Sequence, residues 1–194
     1  MEQVREPSPQ PIVNVVGDRV ALGPLRRDLV PLYQKWINDF EVTRGLSLAF
    51  RPLTLEAEEA WYERASKGQG DPTFTIYERV TLRPIGNTGL HGVDYANRTA
   101  EFGIVIGEKD CWGKGYGTEA ARLVLDYGFN GLGLHSIMLR VFSFNERAVR
   151  AYTRAGFRPA GRLREAVRRG GQAYDVIYMD CLATEFQGSA TQHE

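Results

Sequence analysis

Apolar positions along this chain repeat now at every second residue and now at every third or fourth, and the changes of period divide it into elements. Arg19 to Leu25 reads as a first strand, and Arg27 to Phe40 as a helix in which Leu29, Leu32, Tyr33 and Trp36 recur at helical spacing. Asn38 to Phe50 is then expected to be a loop. Thr54 is a fair N-cap for a second helix running through Leu55, Ala57, Ala60, Trp61 and Ala65, with Glu56 near its positive end. The glycines and proline of Lys67 to Pro72 stop it.

Three β-rich runs follow, Thr73 to Val80, Pro84 to Val93 and Ala100 to Gly107, parted by turn-forming segments and expected to form an antiparallel meander. Thr118 to Asn130 then places Ala121, Val124, Leu125, Gly128 and Phe129 on one helical stripe. Ser136 to Phe142 is a strand. Asn145 to Ala155 is a helix that Asn145 can cap and Gly156 can stop. Phe157 to Arg164 and Ala173 to Leu182 flank Gly170-Gly171 as a closing strand pair. The fold class is α+β, a mixed and mostly antiparallel sheet flanked by helices. One domain over 18–183 is expected, with flexible tails at 1–17 and 184–194, where proline and polar residues bury too little to order.

Composition narrows the function. The 194 residues suit one core, and 24 Lys and Arg against 24 Asp and Glu leave no global field to draw the chain onto nucleic acid or an anionic membrane. Cys111 and Cys181 match no metal-ligand spacing and the three histidines are scattered, so neither metal nor disulfide framework is expected. Nothing resembles a signal peptide or membrane span, which favours a soluble cytoplasmic protein.

Neutrality hides a local asymmetry. Asp39 to Asp71 holds seven acids against four bases, whereas Arg140 to Gly171 holds nine arginines against Glu146 and Glu165. The basic flank suits phosphates and the acidic stretch suits a cationic ligand. For any one residue, a solvated face is as good an explanation.

The richest segment is Glu101-Phe-Gly-Ile-Val-Ile-Gly107 followed by Cys111-Trp-Gly-Lys-Gly-Tyr-Gly-Thr-Glu-Ala120. A strand, a glycine loop and a helix start follow one another directly. Glycines at 113, 115 and 117 let backbone N–H groups approach a ligand, and the helix start adds its positive end, a combination that binds phosphate. The spacing is G-x-G-x-G, which fits neither the P-loop nor the dinucleotide fingerprint. From the loop alone, a plain glycine-rich turn stays open.

The loop Trp112-Gly-Lys-Gly115-Tyr-Gly117 resembles the acetyl-CoA pyrophosphate loop of the GNAT acetyltransferases, [QR]-x-x-G-x-[GA], with Trp112 departing from the commoner Gln or Arg. Together with Ile85-Gly-Asn-Thr-Gly-Leu90, Asn97-Arg-Thr-Ala-Glu101, Asn145-Glu-Arg-Ala148 and Ala151-Tyr-Thr-Arg-Ala-Gly-Phe157, it is similar to the branch acting on ribosomal-protein N-termini, polyamines and aminoglycosides. The resemblance covers about Val20 to Leu182. It implies a sheet splayed at the acetyl-CoA site, a homodimer, and transfer of acetyl from acetyl-CoA to a primary amine.

It also implies roles. Trp112, Gly113, Lys114, Gly115, Tyr116, Gly117 and Thr118 would seat the diphosphate; Ile104, Val105 and Ile106 would pair with the pantetheine arm; Asn145 and Ala148 would contact the arm beyond. Tyr152 would protonate the departing thiolate, although at its spacing from Ala148 and Ala155 it also reads as core. Glu101 is the candidate base, read from the residues alone as an ordinary strand-edge carboxylate, with Asp94 and Glu59 as weaker alternatives. A small cationic amine, a polyamine or an aminoglycoside, is the expected acceptor, the latter implying antibiotic resistance. Alternatives are a protein N-terminus, a CoA-binding regulatory module without chemistry, and, more remotely, a nucleotide-binding protein.

Overall fold

The computed structural model describes residues 10–46, 51–67 and 71–188. Its centre is an eight-stranded sheet in the order β1-β2-β3-β4-β5-β6-β8-β7. The strands are β1 (Val15–Val16), β2 (Val20–Pro24), β3 (Thr73–Glu78), β4 (Pro84–Asp94), β5 (Thr99–Ile106), β6 (Ser136–Phe142), β7 (Arg158–Arg169) and β8 (Gln172–Leu182). Every neighbouring pair is antiparallel except β5 and β6, which run parallel. Five helices accompany them: α1 (Val30–Asn38), α2 (Phe40–Thr43), α3 (Leu55–Ala65), α4 (Tyr116–Asp126) and α5 (Glu146–Ala155).

The period-two alternation gives the sheet two unlike faces. Leu22, Ile76, Leu90, Phe102, Ile137, Leu139 and Met179 point to one side and are buried with Ala120, Ala121, Val124 and Leu125 of α4. The opposite face is covered by α1 and α3 over β2 to β4. There Val30, Tyr33 and Trp36 form a second cluster with Trp61 and Tyr62, and the Tyr33 hydroxyl meets Thr75 Oγ1 at 2.6 Å. Trp36 extends this packing to the end of β5. A Cβ on Gly107 would lie 2.1 Å from the indole Cγ, and the indole N–H donates to Glu108 Oε1 at 2.7 Å.

The strands and long helices lie where the periodicity puts them, with informative differences at their ends. Asn38 to Phe50 is not all loop. Asp39 Oδ1 accepts from the amides of Glu41 and Val42 and so nucleates α2, while 47–50 lie outside the described residues. The expected helix from Thr118 to Asn130 begins two residues early, because Gly115 completes the loop, and passes into a π-turn at Tyr127–Gly131. There Asn130 Nδ2 donates to Asp126 Oδ1 at 2.8 Å.

The expected tails are partly anchored. Val15–Val16 pairs with Ala21 and Leu22, and Phe186 packs its ring 5.4 Å from that of Phe129. Residues 1–9 and 189–194 lie outside the described residues.

Replacing Gly107 with alanine forces a methyl into the Trp36 ring, an overpacking defect worth about 1–3 kcal/mol. Chemical denaturation should show a lower midpoint with an unchanged slope; an unshifted midpoint would mean the indole does not rest on this backbone.

Candidate acetyl-CoA cleft

β5 and β6 pair through three residues only, Thr99 with Ser136, Ala100 with Ile137 and Glu101 with Met138. Beyond Glu101 the two strands part. β5 continues to Ile106 paired with β4 alone, and β6 continues to Phe142 paired with β8 alone. The edge of β5 from 102 to 106 that β6 would have covered is therefore open, a place for an extended ligand to add as a strand does.

The sequence next makes a cradle at the end of that edge. Gly113 and Gly115 adopt φ values of 75° and 86°, a region that costs other residues energy. Gly115 is the N-cap of α4, with no side chain capping the first turn, so the amides of that turn face outward. Arg19 holds the bend from behind, its Nη1 donating to the Lys114 carbonyl at 2.9 Å, and its own amide donates to Glu119 Oε1 at 2.8 Å. Trp112 Nε1 donates to the Ile106 carbonyl at 2.9 Å and ties the loop to β5.

Open edge and glycine loop share one cleft of about 510 Å³. Its walls include Ile104, Val105, Ile106, Trp112, Gly113, Gly115, Tyr116, Gly117, Thr118, Asn145, Ala148 and Tyr152, so the fold gathers twelve of the fourteen expected site residues. Asn145 caps α5, its Oδ1 accepting from the Ala148 amide at 3.2 Å. Tyr152 packs its ring edge-on to Phe102 and Phe157, and burial pushes its hydroxyl up to about 12, so it holds its proton throughout the neutral range.

Lys114 and Glu101 are the two that do not line the cleft. The Lys114 side chain is exposed, and its carbonyl is taken by Arg19. Glu101 lies on the last rung before the strands part, where Arg140 donates to both carboxylate oxygens, at 2.7 and 3.2 Å. The weaker base candidates are no better placed: Asp94 accepts from Asn97, and neither Asp94 nor Glu59 lines the cleft.

Several wall residues escaped the sequence reading. Glu41, Val42, Arg44, Gly45 and Leu46 come from α2 and the turn after it, a segment too short and too polar to carry a period. Arg147, Arg150 and Arg154 also line the cleft. Their spacing of three and four residues along α5 was the available signal. The Arg147 guanidinium lies 4.3 Å from the Trp112 ring centre and bridges α5 to the glycine loop.

Among the described residues no three His, Cys, Asp or Glu side chains come together as a metal site, and Cys111 and Cys181 are both free and buried. No described helix is long and apolar enough to cross a membrane.

Gly115→Ala puts a methyl at φ 86° and 2.9 Å from Arg19 Nη1. We expect affinity for CoA, measured by calorimetry, to fall roughly 5- to 30-fold, the equivalent of about 1–2 kcal/mol of backbone strain. Gly161→Ala, with nothing within 4 Å, should leave it alone.

Known proteins share this architecture. The chain is 32% identical over 162 residues to the uncharacterised N-acetyltransferase p20 of Bacillus licheniformis, covering 81% of this chain and 88% of that one. It is 38% identical over 118 residues to the spermidine N(1)-acetyltransferase of Escherichia coli K12, covering 61% and 62%. The spermidine N-acetyltransferase of Vibrio cholerae, solved in complex with CoA and spermine, superposes with a TM-score of 0.79 at 26% identity over 86% of this chain and 97% of that one. Residues 19–158 match the model of the acetyltransferase (GNAT) domain, and the chain belongs to the GNAT family of N-acetyltransferases.

Proposed function

We propose that this enzyme moves acetyl from acetyl-CoA to a primary amine by direct attack within a ternary complex. The parted strands β5 and β6, leading into the glycine loop, are the observation that carries this reading. The pantetheine arm would run along Ile104 to Ile106, and the diphosphate would rest on the amides from Gly113 to Thr118. Arg147, Arg150 and Arg154 would supply positive charge to the remaining phosphate.

Chemistry then needs three things. The acceptor must attack uncharged, and for a lysine-like amine deprotonation at pH 7 costs about 4.6 kcal/mol. Both oxygens of Glu101 already accept from Arg140, so release of that proton to water in the open cleft suits the geometry better. A backbone N–H near Ile104 or Val105 would stabilise the oxyanion, since this stretch of β5 has no strand on that side. Tyr152, kept protonated by burial, would give its proton to the departing thiolate.

As to the acceptor, the relatives named for spermidine support the small cationic amine expected from the sequence. The placement of the acids speaks differently. Of the acidic stretch, Glu41 alone lines the cleft, and Lys109 Nζ holds it; Glu63 pairs with Arg27, and Asp71 accepts from the amides of Gly92 and Val93.

Tyr152→Phe is expected to lower turnover at least about tenfold with CoA affinity unchanged, a general-acid loss read from steady-state rates and calorimetry. Unchanged turnover would remove Tyr152 from the mechanism. Because its proton is held to about 12 instead of the usual 10, the rate should climb with pH as the amine loses its proton and show no descending limb before pH 10 or so. A fall centred on pH 9–10 would contradict that role.

A further inference from the structure

Trp112 stands where two parts of the cleft meet. On one side is the open edge of β5, which ends at Ile106, and on the other is the glycine loop, which begins at Gly113. The indole is fixed at that joint because its N–H donates to the Ile106 carbonyl at 2.9 Å. With this single polar group engaged, what remains is the face of the ring, and over it lies the Arg147 guanidinium, 4.3 Å from the ring centre. Both residues line the cleft.

The three arginines that α5 turns towards the cleft are not equivalent. Arg150 pairs with Glu146 at 3.2 Å, one turn away. Arg147 enters no ion pair and donates no hydrogen bond among the described residues. An indole holds a cation without taking its hydrogen bonds, so the N–H donors of the fork remain for another acceptor. Arg147 is also the second residue of α5, in the first turn, where the positive end of the helix disfavours a cation. Gly115 brings the positive end of α4 to the same cleft. Glu41, held by Lys109, is the only acid among the described residues that line it. An anion at the joint relieves the repulsion that an arginine there otherwise suffers.

We propose that Arg147 binds the diphosphate of CoA and that Trp112 is the positioning residue that sets it there. This rests on the acetyltransferase reading above and narrows it: Arg147 serves the diphosphate, and Arg150 and Arg154, further along α5, serve the remaining phosphate. The order of groups in CoA decides this division. Its diphosphate directly follows the pantetheine arm, so a ligand whose arm runs to Ile106 and whose diphosphate rests on the loop carries its negative charge past the joint that Arg147 covers. An arginine fork meets two phosphate oxygens with two parallel hydrogen bonds. The loop's own cation, Lys114, does not line the cleft, and the indole brings one from α5 in its place.

The test measures binding to the full chain by calorimetry, with CoA and with dephospho-CoA, which keeps the diphosphate and lacks the 3′-phosphate. Arg147 is exposed, so its replacement leaves the fold intact. Arg147→Ala is expected to weaken both ligands by the same factor, about tenfold. A loss for CoA alone would place Arg147 at the 3′-phosphate, and no loss for either would remove it from the site; each overturns the proposal and leaves the acetyltransferase reading standing. A wild-type chain that binds neither ligand would defeat both together.

The role of Trp112 is read from a double-mutant cycle. Trp112→Met, which keeps apolar bulk without a ring, should weaken both ligands about three- to tenfold in the wild-type background and less than about twofold beside Arg147→Ala. Trp112→Phe, which keeps a ring and loses the N–H, should fall between the wild type and the methionine variant. Equal losses in the two backgrounds would mean that Trp112 shapes the loop by itself, and would overturn its positioning role. Should the methionine variant fail to fold, the phenylalanine variant takes its place in the cycle with the same two outcomes.

Discussion

The short ladder between β5 and β6 governs the rest of this molecule. Three residue pairs are enough to hold the sheet in one piece, and their ending at Glu101 and Met138 opens the gap that becomes the cleft. Continuous pairing would satisfy more backbone groups but would close the site. The structure keeps the separation open by giving each strand another partner, β4 for β5 and β8 for β6, so neither needs the other beyond the third pair. Phe102, buried at the point of divergence, and Tyr152 fill the space behind it.

The glycine loop is similarly overdetermined. Its bends are set by two residues at positive φ, its front is tied to β5 through Trp112, and its back is pinned by Arg19. A bend held at three points before any ligand arrives spends little of the binding energy on ordering itself. That rigidity follows from residues nearly a hundred positions apart, which is why the loop's own motif reveals only part of it.

Much of the fold was legible because long stretches obey a single period: β6 lies where the alternation from Ser136 to Phe142 puts it, and α3 starts where Thr54 offers an oxygen to the Ala57 amide. That β5, the glycine loop and α5 would share one cleft was legible from the resemblance carried by the loop and its neighbouring blocks. What stayed hidden depends on partners distant in sequence. Nothing around Glu101 announces that Arg140 will clasp it, and the acids of 39–71 look like a binding surface until Lys109, Arg27 and two β4 amides are seen to hold four of the seven. The α2 turn was hidden for another reason. Four residues are too few for a helical stripe, and its existence depends on Asp39 accepting two amides.

Trp36 gives the architecture a further property. Its ring rests on Gly107 at the tail of the strand that would carry the arm of CoA, while its indole N–H holds Glu108 and its helix leads directly into the α2 wall. One side chain thus rests on the end of the cofactor strand and belongs to the helix that leads into the α2 wall. Any ligand that draws the α2 wall inward also bears on the strand beneath the other, and by linkage the effect must run equally in both directions. The two substrates would therefore sense one another's presence through a single indole, without meeting until the reaction joins them.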